Sequence, residues 1–499
     1  MDKTGIICVS LLNTPYSLTR FCNDKNSIEI IASSITDHFP NCQVIHYFDH
    51  HSDVKHFKKY FETNVAISPD IYSLLSHAKE NFKGCETIAV IHTDEPLTDF
   101  ALLKELIQLH NDNIADYTMG ENYPSGVCPF VISYDTLAKI TLIASGNNEP
   151  YHRGAFFRFI NMDINSYDLE VSICEKDMRR DRLDLRTDTL RNFLICENIF
   201  IESGNSYSIQ NIIALLAKKP ALMRTLPAYI EIEITGECDL SCLMCPRTKS
   251  GRNNVRMPLG DFKKIIDDIN ANCPDTVVCL SGMGEPFLHP DIIPMIEYVI
   301  RQENLRLIVE TSGVHFTKEN ADKILAVYNN KLHIIFSLES VHAEDYKRIR
   351  GADVFQTVEQ NIDYYISRQT ENTFIQFVKM ESTEQNLDAF YERWKNYEER
   401  IILIKYNDYR GEYPDNKIID LSPVKRFPCW HLKRDLSINA LGEAVLCKQD
   451  YQATMKMGNV LNEGVKNCFN RIQDFYERDY LKGPDEYCKL CDEYYTYNF

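Results

Sequence analysis

A chain of 499 residues exceeds what one hydrophobic core can organise, so two or three domains are expected. With 44% hydrophobic and 25% charged residues and no apolar run of membrane-spanning length, it reads as globular, and a net charge of −18 excludes nucleic acid as the main partner, because phosphate binding needs clustered Lys and Arg. Seventeen cysteines without a recognisable secretory signal argue against a disulfide framework and for reduced thiols, metal ligation and a cytoplasmic location.

The first 220 residues alternate strand-like runs (Gly5 to Leu12, Gln43 to Tyr47, Thr87 to His92, Pro129 to Ser133) with helix-like ones (Ser27 to Phe39, Asp70 to Phe82, Ala101 to His110). That rhythm predicts an α/β domain with a largely parallel sheet, whose ligands lie beyond the carboxyl ends of its strands. The first run lacks the basic flank and cleavage site of a signal peptide and reads as a strand. After Thr87 to His92, Asp94 is placed to hold a divalent metal on a nucleoside triphosphate. With HTDEPLTD from His92, YPSG from Tyr123 and RLDLRTDTLRNF from Arg182, residues 5–200 resemble the nucleotidyltransferases of the cytidylyltransferase and spore-coat polysaccharide type. Those proteins activate sugars as nucleotide conjugates, so the resemblance implies a Rossmann-like, nucleotidyltransferase-type fold for residues 1–220. It breaks twice: the loop Asn13 to Arg20 has no glycine to bring backbone N–H groups onto phosphates, and Arg186 stands where a metal-binding Asp is expected. A degenerate domain that binds or presents a substrate is the expectation.

Pro220 and Pro227 mark a boundary, after which Glu231 to Arg247 (EIEITGECDLSCLMCPR) joins a strand to Cys238, Cys242 and Cys245. Three clustered thiolates repel one another unless a cation compensates them, which means zinc or iron–sulfur. Zinc wants a fourth ligand, and the nearest candidates are His289 and Cys273; a four-iron cluster on three cysteines leaves one iron open. The C-x3-C-x2-C spacing with Met244 before the last cysteine resembles the signature of the radical S-adenosylmethionine (SAM) enzymes, in which the open iron chelates SAM. Strand-like runs then recur at Thr276 to Leu280, Leu305 to Glu310, Leu332 to Leu338, Phe374 to Met380 and Ile401 to Lys405, with helix-like runs between them. Six βα units over residues 221–415 predict a partial (β/α)6 TIM-like barrel with all strand C-termini on one face. There, Ser281 to Pro290 is similar to the GGEP motif of the family, which implies cofactor contacts for Gly282, Gly284 and Glu285; Ser337 and Glu339 would face the SAM ribose and Arg350 its carboxylate.

Past residue 415 short strands and turns carry Cys429, Gly442, Cys447, Cys488 and Cys491. Leu436 to Val445 reads as a hairpin that brings Cys429 and Cys447 together, and the terminal C-x2-C completes a four-thiol set that suits structural zinc as well as iron. The arrangement resembles the SPASM and Twitch extensions of radical SAM enzymes, implying a small Twitch-type iron–sulfur domain over residues 416–499 with one auxiliary [4Fe–4S] cluster. Together the resemblances imply two [4Fe–4S] clusters, SAM, an electron donor such as flavodoxin or ferredoxin, and oxidation of a sugar, aminosugar or cyclitol, possibly nucleotide-linked. The alternatives are a peptide or protein side chain as substrate and, outside enzymes, a zinc-stabilised scaffold.

Overall fold

The computed structural model describes residues 3–12, 14–51, 57–204, 208–419 and 421–496, and the chain divides into two compact units, Met1–Thr225 and Leu226–Phe499. In the first unit the strands β1 (Thr4–Ser10), β2 (Gln43–Asp49), β3 (Asn64–Ile67), β4 (Thr87–His92), β5 (Tyr117–Glu121), β6 (Phe130–Ser133) and β7 (Leu169–Ile173) form one sheet in the order β3-β2-β1-β4-β6-β5-β7. Alternation along β1 sends Ile6 and Cys8 into a core beneath helices 27–38 and 100–112, and Ile7 and Val9 into a second core beneath helices 71–81, 134–143 and 155–161. With a core on each face, β4 is buried at every position.

The sheet is parallel except at β6, which runs antiparallel to both β4 and β5. The reason is chain length: residues 122–129 join β5 to β6, too few for a parallel crossover of a dozen residues or more. Asn13, the start of the phosphate-loop position, lies outside the described residues.

The second unit holds β8 (Tyr229–Ile232), β9 (Thr276–Leu280), β10 (Leu305–Thr311), β11 (Leu332–Ser337), β12 (Thr373–Lys379), β13 (Ile401–Lys405), β14 (Asp435–Ile438), β15 (Glu443–Val445) and β16 (Lys456–Asn459). Their order is β13-β12-β11-β10-β9-β8-β14-β15-β16, so β8 to β13 are successive neighbours, all parallel. The expected hairpin is present, with Ser437 opposite Val445, but it does not stand alone: β14 lies parallel against β8 and continues the barrel sheet. Helix 343–350 was not expected from the sequence.

On the inner face of the curved sheet, Tyr229, Val277, Cys279, Ile308 and Ile335 form an apolar floor with Phe374 and Ile402. One step further along the same face the residues turn polar: Glu231, Ser281, Glu310 and Gln376 line a cavity of about 840 Å³ at the carboxyl ends of the strands. No helix among the described residues is long and apolar enough to cross a membrane.

Candidate functional site

The three-cysteine loop that follows β8 is seated by backbone contacts on two sides. The amides of Ser241 and Leu243 donate to the carbonyls of Arg350 and Ile349 at 3.0 and 2.9 Å, and Glu285 N donates to Glu237 O at 2.7 Å. Two glycines permit this approach. A Cβ on Gly284 would stand 2.0 Å from Thr235 O, and Gly351, at φ +77°, would drive one to within 2.9 Å of Ser241. Gly284→Ala is therefore expected to unseat the loop, with reconstituted iron falling by about half, from about eight per chain to about four. Iron analysis against circular dichroism checks it; full iron binding would show that the contact is dispensable.

The thiols are half-buried and placed for a cationic centre. Burial pushes Cys238 up to about 12 and raises Cys245 as well, while the backbone amides of Leu240 and Arg247 hydrogen-bond to these two sulfurs and favour their thiolates. Arg350 Nη1 lies 3.4 Å from Cys242 Sγ. Such donors fit iron-bound thiolates, whose potentials depend on N–H···S bonds. Neither neighbouring candidate is poised as a fourth ligand: His289 spends Nε2 on Met257 O at 2.9 Å and Nδ1 on Asp291 N at 3.1 Å, and Cys273 is fully buried.

The residues expected to meet SAM have these positions. Gly282, at φ +101°, passes close over Glu233. Glu285 is buried and its carboxylate is saturated within the barrel, accepting from Thr311 Oγ1 at 2.7 Å and from the amide and hydroxyl of Ser312 at 2.8 and 2.7 Å. It ties the end of β9 to the end of β10. Ser337 is half-buried. Glu339 and Arg350, both buried, are ion-paired: Nη2 donates to Oε1 at 2.7 Å, and Nε lies 2.5 Å from Oε2. This is a buried pair and not a surface one.

Sequence reasoning passed over Glu233, which accepts from Arg252 Nε at 2.9 Å and from Met283 N at 3.2 Å. It also passed over Glu231, Glu310 and Lys448 in the cavity wall. For Glu231 and Glu310 the available signal was a charge at the inward-facing position of a strand; Glu233 and Lys448 lie outside the strands.

In the C-terminal set, Cys429, Cys447, Cys488 and Cys491 lie near enough to raise one another electrostatically, and burial pushes Cys447 up to about 12. The amides of Leu432 and Gln449 hydrogen-bond to Cys429 and Cys447, and Glu493 N lies 3.4 Å from Cys491 Sγ. Among the described residues, the group of three metal-capable side chains with ligand atoms mutually within 4.8 Å is Asp49, His50 and His51, which includes no cysteine.

In the first unit Asp94, expected to hold a divalent metal, is held by an arginine, and Arg186 is itself paired with neighbouring carboxylates. Arg153 bridges Asp94 and Glu95, and Arg186 pairs with Asp184 and, at 3.6 Å, with Asp188. Glu95 is held below its ordinary range, against its burial, chiefly by His92 and Arg153.

Residues 232–393 match the Radical SAM superfamily. The chain is 29% identical, over 69% of its length and 98% of the relative's, to an uncharacterized protein of Treponema pallidum. It is 29% identical over 25% of its length to the antilisterial bacteriocin subtilosin biosynthesis protein AlbA of Bacillus subtilis, and spans only 27% of that protein. Among solved structures, a cytidylyltransferase from Leptospira borgpetersenii aligns over 44% of this chain and 96% of its own, at 15% identity and a TM-score of 0.38. Over residues 232–393 the chain is thus similar to the Radical SAM superfamily, whose shared cofactors are a [4Fe–4S] cluster and SAM.

Proposed function

We propose that the protein oxidises a sugar, aminosugar or cyclitol, possibly nucleotide-linked, in the barrel cavity. In this reading Cys238, Cys242 and Cys245 hold the SAM-binding cluster, and Cys429, Cys447, Cys488 and Cys491 an auxiliary one. The observation that carries it is the cavity wall: Met244, beside Cys245, and Lys448, beside Cys447, line one space of about 840 Å³. A molecule there would lie between the two cysteine sets. Bound SAM, cleaved reductively, supplies a 5′-deoxyadenosyl radical able to take hydrogen from an unactivated carbon. The protein's own part is to orient and shield. The apolar floor closes the bottom of the barrel, while Ser281, Gln376 and Tyr409 present polar groups to hydroxyls. Donors of electrons such as flavodoxin or ferredoxin, in a reducing cytoplasm, suit seventeen cysteines that are all free.

The first unit fits a non-catalytic role, because a guanidinium occupies the place where a metal-binding pair would need open carboxylates. It would bind or present a nucleotide-linked substrate. A peptide substrate is the second reading, favoured by the relative that takes part in bacteriocin biosynthesis.

The test is anaerobic reconstitution. About eight irons per chain and 5′-deoxyadenosine formation under reducing conditions are expected. A colourless protein with two zinc ions would overturn the reading in favour of a scaffold, and about four irons would remove the auxiliary cluster from it.

A further inference from the structure

The cavity wall carries more negative charge than a neutral sugar requires. Glu231 on β8 and Glu310 on β10 flank β9 on the inner face of the sheet: Glu231 is in register with Cys279, and Glu310 stands two residues beyond Ile308, which is also in register with Cys279. Both side chains border the cavity, and Cys279 Sγ lies 4.0 Å from Glu310 Oε1. The cations near them are already shared. Lys448 faces Glu231, Glu310, Asp435 and Glu493 together, and Lys405 is engaged by Asp492 at 3.0 Å and Glu493 at 2.5 Å. Asp435 has His431 at 2.6 Å.

Two neighbouring carboxylates in an enclosed, partly apolar space oppose each other's ionisation. Burial and the facing Glu231 together push Glu310 up to about 7, with Lys448 opposing, and Glu231 is raised by burial as well. An anionic substrate would add to the repulsion. A neutral polyol would leave it in place. A group that brings one positive charge and several donors would relieve it, and a primary ammonium ion does both.

We propose that Glu231 and Glu310 form a receptor for a primary ammonium group on the substrate, so that the cavity selects an amine-bearing polyol over its neutral or acidic counterparts. The inference rests on the reading of the cavity as the substrate site. Ser281, Gln376 and Asn407 in the same wall would serve the hydroxyls.

The test is calorimetry on the full-length, iron-reconstituted protein with SAM, using D-glucosamine and D-glucose as probes at pH 7. Glucosamine is expected to bind about tenfold more tightly than glucose, and Glu231→Gln and Glu310→Gln are each expected to bring the ratio close to one. Because the glutamines keep the shape and remove a repulsion, both variants should melt no lower than the parent at pH 8. Equal binding of the two sugars, or tighter binding of glucose, overturns the ammonium receptor and leaves the cavity as a sugar site. Unchanged glucosamine preference in both variants overturns it by locating the amine elsewhere. Binding of neither probe overturns it together with the sugar reading of the cavity.

Discussion

Cys242→Ala is expected to lower the iron of the reconstituted protein from about eight to about four per chain and to abolish 5′-deoxyadenosine formation. The effect should be this specific because the loop does not depend on the thiol for its place. The amides on either side of Cys242, those of Ser241 and Leu243, are bonded to the carbonyls of Arg350 and Ile349. Alanine therefore removes a ligand and leaves the backbone seated. Arg350, which loses the sulfur at 3.4 Å, still has Glu339. The four irons that remain belong to the C-terminal set, and Cys447→Ala should give the complementary half. Iron and sulfide analysis with electron paramagnetic resonance of the reduced protein reads both. Undiminished iron and deoxyadenosine in Cys242→Ala would mean that these cysteines do not hold the cluster.

The second large effect is on stability. Arg350→Met leaves Glu339, only 1% exposed, with a buried carboxylate and no countercharge. Removing one partner of such a pair costs about 3–5 kcal/mol, on the order of a 10 °C fall in melting temperature for a unit of this size. The sign with pH follows from the direction of the shift. Burial already raises Glu339 against the opposing pull of Arg350, and without the arginine it rises further. A folded-state value above the unfolded one means that the folded protein holds the extra proton, so stability falls as pH climbs through that interval. The deficit of the variant should be smaller at pH 5 than at pH 8, and Glu339→Gln/Arg350→Met should recover most of it. A deficit that does not change with pH, in thermal denaturation at both values, would show that lost packing and not orphaned charge is responsible.

Much of the barrel was legible because its strands are short apolar runs whose lengths match the elements that form: Thr276 to Leu280 and Ile401 to Lys405 are strands over those residues, and Leu259–Asn272 is a helix. Helix 343–350 was not legible. Its sequence, AEDYKRIR, is charged almost throughout, and it holds its place through Tyr346, Ile349 and the buried Arg350. β3, β5 and β7 escaped because they are only four or five residues long and partly exposed, too short for even the alternation of β7 (LEVSI) to stand out. At the site, the spacing of Cys238, Cys242 and Cys245 could be read directly because it is local in sequence. The Glu339–Arg350 bond, the saturation of Glu285 by Thr311 and Ser312, and the occupation of Asp94 and Glu95 by Arg153 were invisible, since each joins strand ends that only the fold brings together.

The parallel pairing of β14 with β8 has a consequence for electron flow. The chain enters the first cysteine loop from β8, and it leaves β14 through a three-stranded meander that delivers Cys447. Neighbouring strands keep a spacing of ~4.8 Å whatever fills the barrel. On the proposed assignment of one cluster to each cysteine set, the gap an electron would cross between them is bounded by a backbone ladder and not by the occupant of the cavity. On that assignment the pocket wall could diverge to accept new molecules without altering the strand pairing that joins the two cysteine-bearing segments.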